Sequence, residues 1–151
     1  MNFIRGLFEK KREKNLSKRS SISSSSHHNL EAIYTRINLE YFQGKIEVPI
    51  KWFGSRIRKP QSYFRFGSYN LRTHVVKIHR MLDHSQVPEY VVAFILYHEM
   101  LHHVLPPLRL STGRRRIHHP AFVLREKQFR EYVLAQDFLK SIVKGKHHGR
   151  S

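Results

Sequence analysis

The sequence predicts an α+β fold in which a small antiparallel sheet packs against one buried helix, with further helices at its flanks. A helical spacing of Ile33, Ile37 and Tyr41, closed by Gly44 as a C-terminal cap, predicts a first helix from Leu30 to Phe42. Three short β-prone stretches come next, at Ile46 to Phe53, Tyr63 to Tyr69 and Thr73 to His79, and the turns at Pro60-Gln61 and Asn70-Leu71 suit antiparallel neighbours. The run Tyr90 to Leu105 is apolar almost all round and lies between Pro88 and Pro106-Pro107, which marks a buried helix of about four turns. A long helix from Pro120 to about Val143, carrying Phe122, Phe129, Val133 and Leu139, completes the predicted core.

The buried helix carries polar groups that an apolar helix does not tolerate without compensation. His98-Glu99-Met100-Leu101-His102 places two imidazoles one turn apart, so that both can hold a single ion while Glu99 faces the ion's open position. With 12 histidines in 151 residues, such a pattern arises by chance in roughly one chain in twenty, so its setting decides. Two imidazoles and a carboxylate on a buried helix are expensive unless a metal offsets them, whereas hydrogen-bonded core histidines beside an incidental glutamate are the plainer alternative. The spacing therefore points to one Zn2+ per chain, with His98 and His102 as ligands and Glu99 as catalytic base.

Catalytic zinc needs a third protein ligand. The metzincin extension is excluded, because Leu105 and Leu108 stand where it requires glycine and histidine. His118 ranks first among the downstream candidates and His119 second, since both precede the helix opened by Pro120; Glu126 and Glu131 rank third. Tyr69, His103 and the Arg114, Arg115, Arg116 run are candidates for stabilising an oxyanion.

The order Tyr41-Phe42-Gln43-Gly44, Trp52, an Arg-containing strand region from Arg65 to Tyr69, the His-Glu motif and His118-His119-Pro120-Ala121-Phe122 resembles the SprT-like, or Spartan-type, zinc metalloprotease domain over about residues 30 to 141. The resemblance implies a zincin-like architecture, His98, His102 and His118 as zinc ligands, Glu99 as base, and proteolysis of DNA-bound or crosslinked proteins. The chain departs from many such proteins in lacking cysteine, so no zinc ribbon accompanies the domain.

At 151 residues the chain suits one domain with tails: a basic, Ser-rich arm over 1–29, a metallopeptidase domain over 30–143 and a basic tail over 144–151. Nothing in the arm has the form of a secretory signal, no apolar run is long enough to span a membrane, and cysteine is absent, so a cytoplasmic location, free or DNA-associated, is expected. The net charge of +17 divides into +5 over 1–29, +9 over 30–141 and +3 over the last ten residues. Excess spread through folded part and tails favours DNA or another polyanion as partner. Arg56, Arg58, Lys59 and Arg65, interleaved with Trp52, Phe53, Tyr63 and Phe64, could join phosphate contacts to base stacking, and Arg114 to Arg116 could add to them. The leading expectation is a zinc metallopeptidase acting on protein substrates at or near DNA. The alternatives are a non-catalytic nucleic-acid-binding module with structural zinc, and a peptidase for an unrelated substrate; the sequence does not set the oligomeric state.

Overall fold

The computed structural model describes residues 26–56 and 65–144. Helix α1 (Leu30–Phe42) begins where the Asn29 side chain accepts the Ala32 N–H at 3.0 Å, satisfying a donor that the helix itself leaves open. It ends where Gln43 and Gly44 both adopt left-handed backbone, and the Gly44 N–H returns to the Asn38 carbonyl at 2.9 Å. The last residues of the arm are docked: His28 is buried, and its N–H and the Ser26 hydroxyl both donate to the buried carboxylate of Asp83.

Three strands, β1 (Ile50–Phe53), β2 (Gly67–Tyr69) and β3 (Val76–His79), form a sheet ordered β1-β3-β2. The expected antiparallel sheet is instead mixed. β2 and β3 pair antiparallel, with Tyr69 opposite Val76, whereas β1 and β3 run parallel, with Ile50 opposite Val76. The Asn70 turn does join β2 to β3, its side chain accepting the Arg72 and Thr73 N–H groups. Turn chemistry specifies only strands adjacent in sequence, and β3 enters between the other two. β1 also starts later than Ile46. The Asn38 side chain holds both backbone groups of Ile46, and the Tyr34 hydroxyl bridges the Ile46 carbonyl and Val48 N–H, so this segment pairs with α1 rather than with a strand.

After a short 3-10 turn (Arg80–Leu82), helix α2 (Glu89–Val104) runs through the middle of the molecule, with Val91 to Tyr97, Met100 and Leu101 buried. It packs against α1, β2, β3 and the two C-terminal helices. Next comes a two-stranded hairpin, β4 (Leu108–Arg109) and β5 (Arg115–Arg116). The predicted long final helix is two helices, α3 (Pro120–Glu126) and α4 (Tyr132–Lys144). A straight helix would place Phe122, Phe129 and Val133 on one stripe. The intervening turn instead drives Phe129 between Tyr41, Phe94 and Tyr97 and re-phases α4, so that Ala135 and Leu139 face the core while Val133 is exposed.

Candidate metal centre

The last two turns of α2 present two adjacent faces. His98 and His102 look toward α3, and Glu99 and His103, also one turn apart, look toward β2. His118, two residues before α3, joins the first face: one ring nitrogen from each of His98, His102 and His118 lies within 4.8 Å of the others. The Nε2 atoms of His98 and His102 are 3.2 Å apart. A tetrahedral ion with metal–nitrogen distances of about 2.0–2.1 Å sets its donors about 3.3–3.4 Å apart, so this pair already stands close to coordination spacing. Three nitrogen donors suit a divalent transition metal rather than a hard, oxygen-seeking cation.

Two neighbouring contacts place α3. The Tyr97 hydroxyl donates to the Arg125 carbonyl at 2.6 Å, and His98 Nδ1 meets Glu126 Oε1 at 2.6 Å. The second contact favours the N–H on Nδ1 and leaves Nε2 of His98 with its lone pair for an ion, the orienting role that outer carboxylates fill at metal sites. Phe122, fully buried, lies against all three imidazoles, with ring centroids 4.6 to 5.1 Å away.

Burial shapes the electrostatics. It pushes His102 down to about 3, with mutual repulsion among the clustered imidazoles of His98 and His118 acting in the same sense. It also lowers His118, with His98 acting in the same sense and Glu126 opposing. Both rings are thus held neutral, as metal ligands must be. Glu99, only 6 % exposed, is raised by burial to about 7, against the pull of His98, Arg65 and a hydrogen bond from the Tyr69 backbone N–H. That value suits a group that must take up and release a proton near neutrality. A cleft of about 470 Å³ opens over these groups, with Phe66, Phe94, Ile95 and Leu139 in its walls and Arg65 and Ile117 also lining it.

Gly67 on β2 makes the close approach of strand and helix feasible. A Cβ there would lie 2.7 Å from both Glu99 Oε1 and Ile95 Cγ2. Gly67→Ala is therefore expected to lower stability by about 1–3 kcal/mol through overpacking and to displace the Glu99 carboxylate. Thermal unfolding together with turnover measures both effects; wild-type values for both would show that α2 yields without consequence.

The other sequence-derived candidates lie elsewhere. His119 is buried at the start of α3 outside the cluster, and its Nε2 finds no hydrogen-bond partner among the described residues. Glu126 holds His98 instead of joining the donor set, and Glu131 is not part of it. Arg56 is engaged with Asp83 at 2.7 Å, tying the end of β1 to the 3-10 turn, and Trp52 packs against the core rather than standing ready to stack on a base. Arg58, Lys59, Tyr63 and Phe64 lie outside the described residues. Arg65 is exposed at the cleft, and Arg114, Arg115 and Arg116 are exposed on the hairpin that leads to His118. Sequence reasoning missed Gly67, which no spacing marks among seven glycines, and Asp83, whose importance comes from burial beneath three donors.

Comparison with solved structures gives a likeness to the crystal structure of the metallopeptidase zymogen jannalysin of Methanocaldococcus jannaschii, with a TM-score of 0.51 at 17% identity, covering 78% of this chain and 97% of that one. The fold is metallopeptidase-like. No protein-family model and no curated protein matches the sequence. At this identity the likeness speaks for the fold, and the chemistry rests on the residues themselves. No helix among the described residues is long and apolar enough to cross a membrane.

Proposed function

We propose that this chain is a zinc metalloendopeptidase of SprT-like type, with His98, His102 and His118 holding the ion and Glu99 as general base, and that it cleaves proteins at or near DNA. The observation that carries the reading is the buried Glu99 beside, but outside, the three-histidine cluster and within the same cleft. A purely structural zinc site is usually closed by four protein ligands and has no use for a buried carboxylate at its open side.

Zinc, when bound, supplies Lewis acidity toward water and the scissile carbonyl. Glu99 takes the proton of the attacking water and delivers it to the leaving amine. Glu126 keeps the His98 ring in the orientation and tautomer that binding requires. β2 is an edge strand lining the cleft, so those of its outward backbone groups that Glu99 does not hold can align a substrate main chain by strand addition. The apolar walls offer substrate side chains a hydrophobic surface beside the bond being cut.

The DNA part of the proposal rests on the net charge of +17, with Arg65 and the hairpin arginines exposed near the cleft. The test is digestion of a DNA-bound protein, with and without chelator, alongside DNA affinity measured from about 50 to 200 mM salt. Cleavage should stop with chelator, and affinity should fall steeply with salt. Weak, salt-insensitive DNA binding by an active peptidase would remove DNA from the proposal; a metal-loaded protein that cuts no substrate would leave the non-catalytic reading.

A further inference from the structure

Beside the metal cluster, and not used by it, three side chains from separate elements meet at one oxygen. The Tyr69 hydroxyl on β2 lies 2.6 Å from His74 Nδ1 in the β2–β3 turn and 2.8 Å from His103 Nδ1 on α2. The three rings are mutually packed, with His74 and His103 nearly perpendicular at 5.6 Å between centroids. A phenol has one proton to give, so one imidazole accepts it while the other donates its own N–H to the phenol oxygen. The oxygen is thereby gripped from two sides.

The turn is built to hold this arrangement. His74 adopts left-handed backbone, φ 54°, which a non-glycine residue takes up only when its surroundings require it. Its N–H donates to the Asn70 carbonyl at 2.7 Å, and the Asn70 side chain fixes the two N–H groups between them. The backbone of Tyr69 meanwhile does something its side chain does not: its N–H, on the side of β2 away from β3, is directed at the Glu99 carboxylate, which lies so close to β2 that a Cβ on Gly67 would come within 2.7 Å of Oε1. Glu99 and His103 lie one turn apart on α2, so Tyr69 touches that helix twice, through its main chain at the carboxylate and through its phenol at His103.

We propose that Tyr69 is a positioning residue for Glu99: the phenol, pinned by His74 and His103, fixes the strand so that the Tyr69 N–H stays on the carboxylate and holds it in the orientation needed for proton transfer. His74 and His103 act through Tyr69. This rests on the peptidase reading only for its catalytic consequence, since the strand-to-helix coupling can be read without substrate.

The experiment compares wild type with Tyr69→Phe, His103→Ala and His103→Asn in metal-loaded protein, measuring hydrogen exchange at the residue-69 amide, metal content, and kcat and KM separately. Removal of the hydroxyl should speed exchange at that amide and lower kcat by about 10- to 100-fold, with KM within about twofold and metal still bound. His103→Ala should reproduce this, and His103→Asn, which keeps a polar atom near the Nδ1 position, should restore most of it. Unchanged exchange and unchanged kcat in Tyr69→Phe would overturn the proposal. Faster exchange in Tyr69→Phe, in a protein whose wild type cleaves nothing, would sustain the coupling while refuting the peptidase reading.

Discussion

Replacing Glu99 by glutamine is expected to lower kcat by roughly 10²- to 10⁴-fold while leaving the metal in place. Glutamine keeps the volume of the side chain in a space where even a Cβ on Gly67 would collide, and it can still accept the Tyr69 N–H. Only the proton acceptor is lost. A second consequence concerns stability in the metal-free protein. Burial raises the folded-state carboxyl from 4.5 to about 7, so the unfolded chain gives up its proton first as pH rises. The stabilisation associated with this group is fully present below pH 4.5 and is lost as pH rises through about 7. The glutamine variant has no such loss, so its melting temperature should gain on wild type across that interval and keep the advantage above it. Melting curves of both metal-free proteins from about pH 4 to 8, beside turnover of the loaded proteins, test the two effects. Wild-type turnover in the variant would end the assignment of Glu99 as base.

Removing His102 or His118 is expected to abolish retention of the metal, whereas removing His119 should not. Each of the first two contributes one of three converging nitrogens, while His119 lies outside the cluster. The loss should exceed the roughly 10- to 100-fold in affinity expected of Glu126→Gln, which removes only the carboxylate holding His98. Elemental analysis after dialysis of His102→Ala, His118→Ala, His119→Ala and Glu126→Gln ranks these effects. Metal retained by His118→Ala and lost by His119→Ala would reassign the third ligand. In the wild type, His102 is held down to about 3 and His118 below the ordinary imidazole range, so protons at those two rings compete little with the metal near neutral pH.

The parts legible in the sequence were those specified by neighbours along the chain. Gly44 marks the end of α1, the prolines around 88 and 106 bracket α2, and i,i+4 spacing alone puts His98 beside His102. The features that failed to show were specified across the fold. The parallel pairing of β1 with β3 leaves no local signature, and the break between α3 and α4 arises from Phe129 finding Tyr41, 88 residues earlier. His118 and His119 differ by one position, yet one ring reaches the cluster and the other is buried elsewhere. That choice depends on the direction in which α3 docks, and docking is set by Tyr97 and His98 gripping Arg125 and Glu126.

The shortness of α3 gives this docking a thermodynamic meaning. Seven residues cannot sustain a helix in water, so α3 persists only while it is held against α2. His118 consequently comes to the other two imidazoles by a folding event, and an ion that binds all three is also a ligand of the folded state. Free metal at about 100 times its dissociation constant would add about 2.7 kcal/mol to that state, so the ambient supply of the ion sets how strongly the centre is held together as well as how many copies are filled.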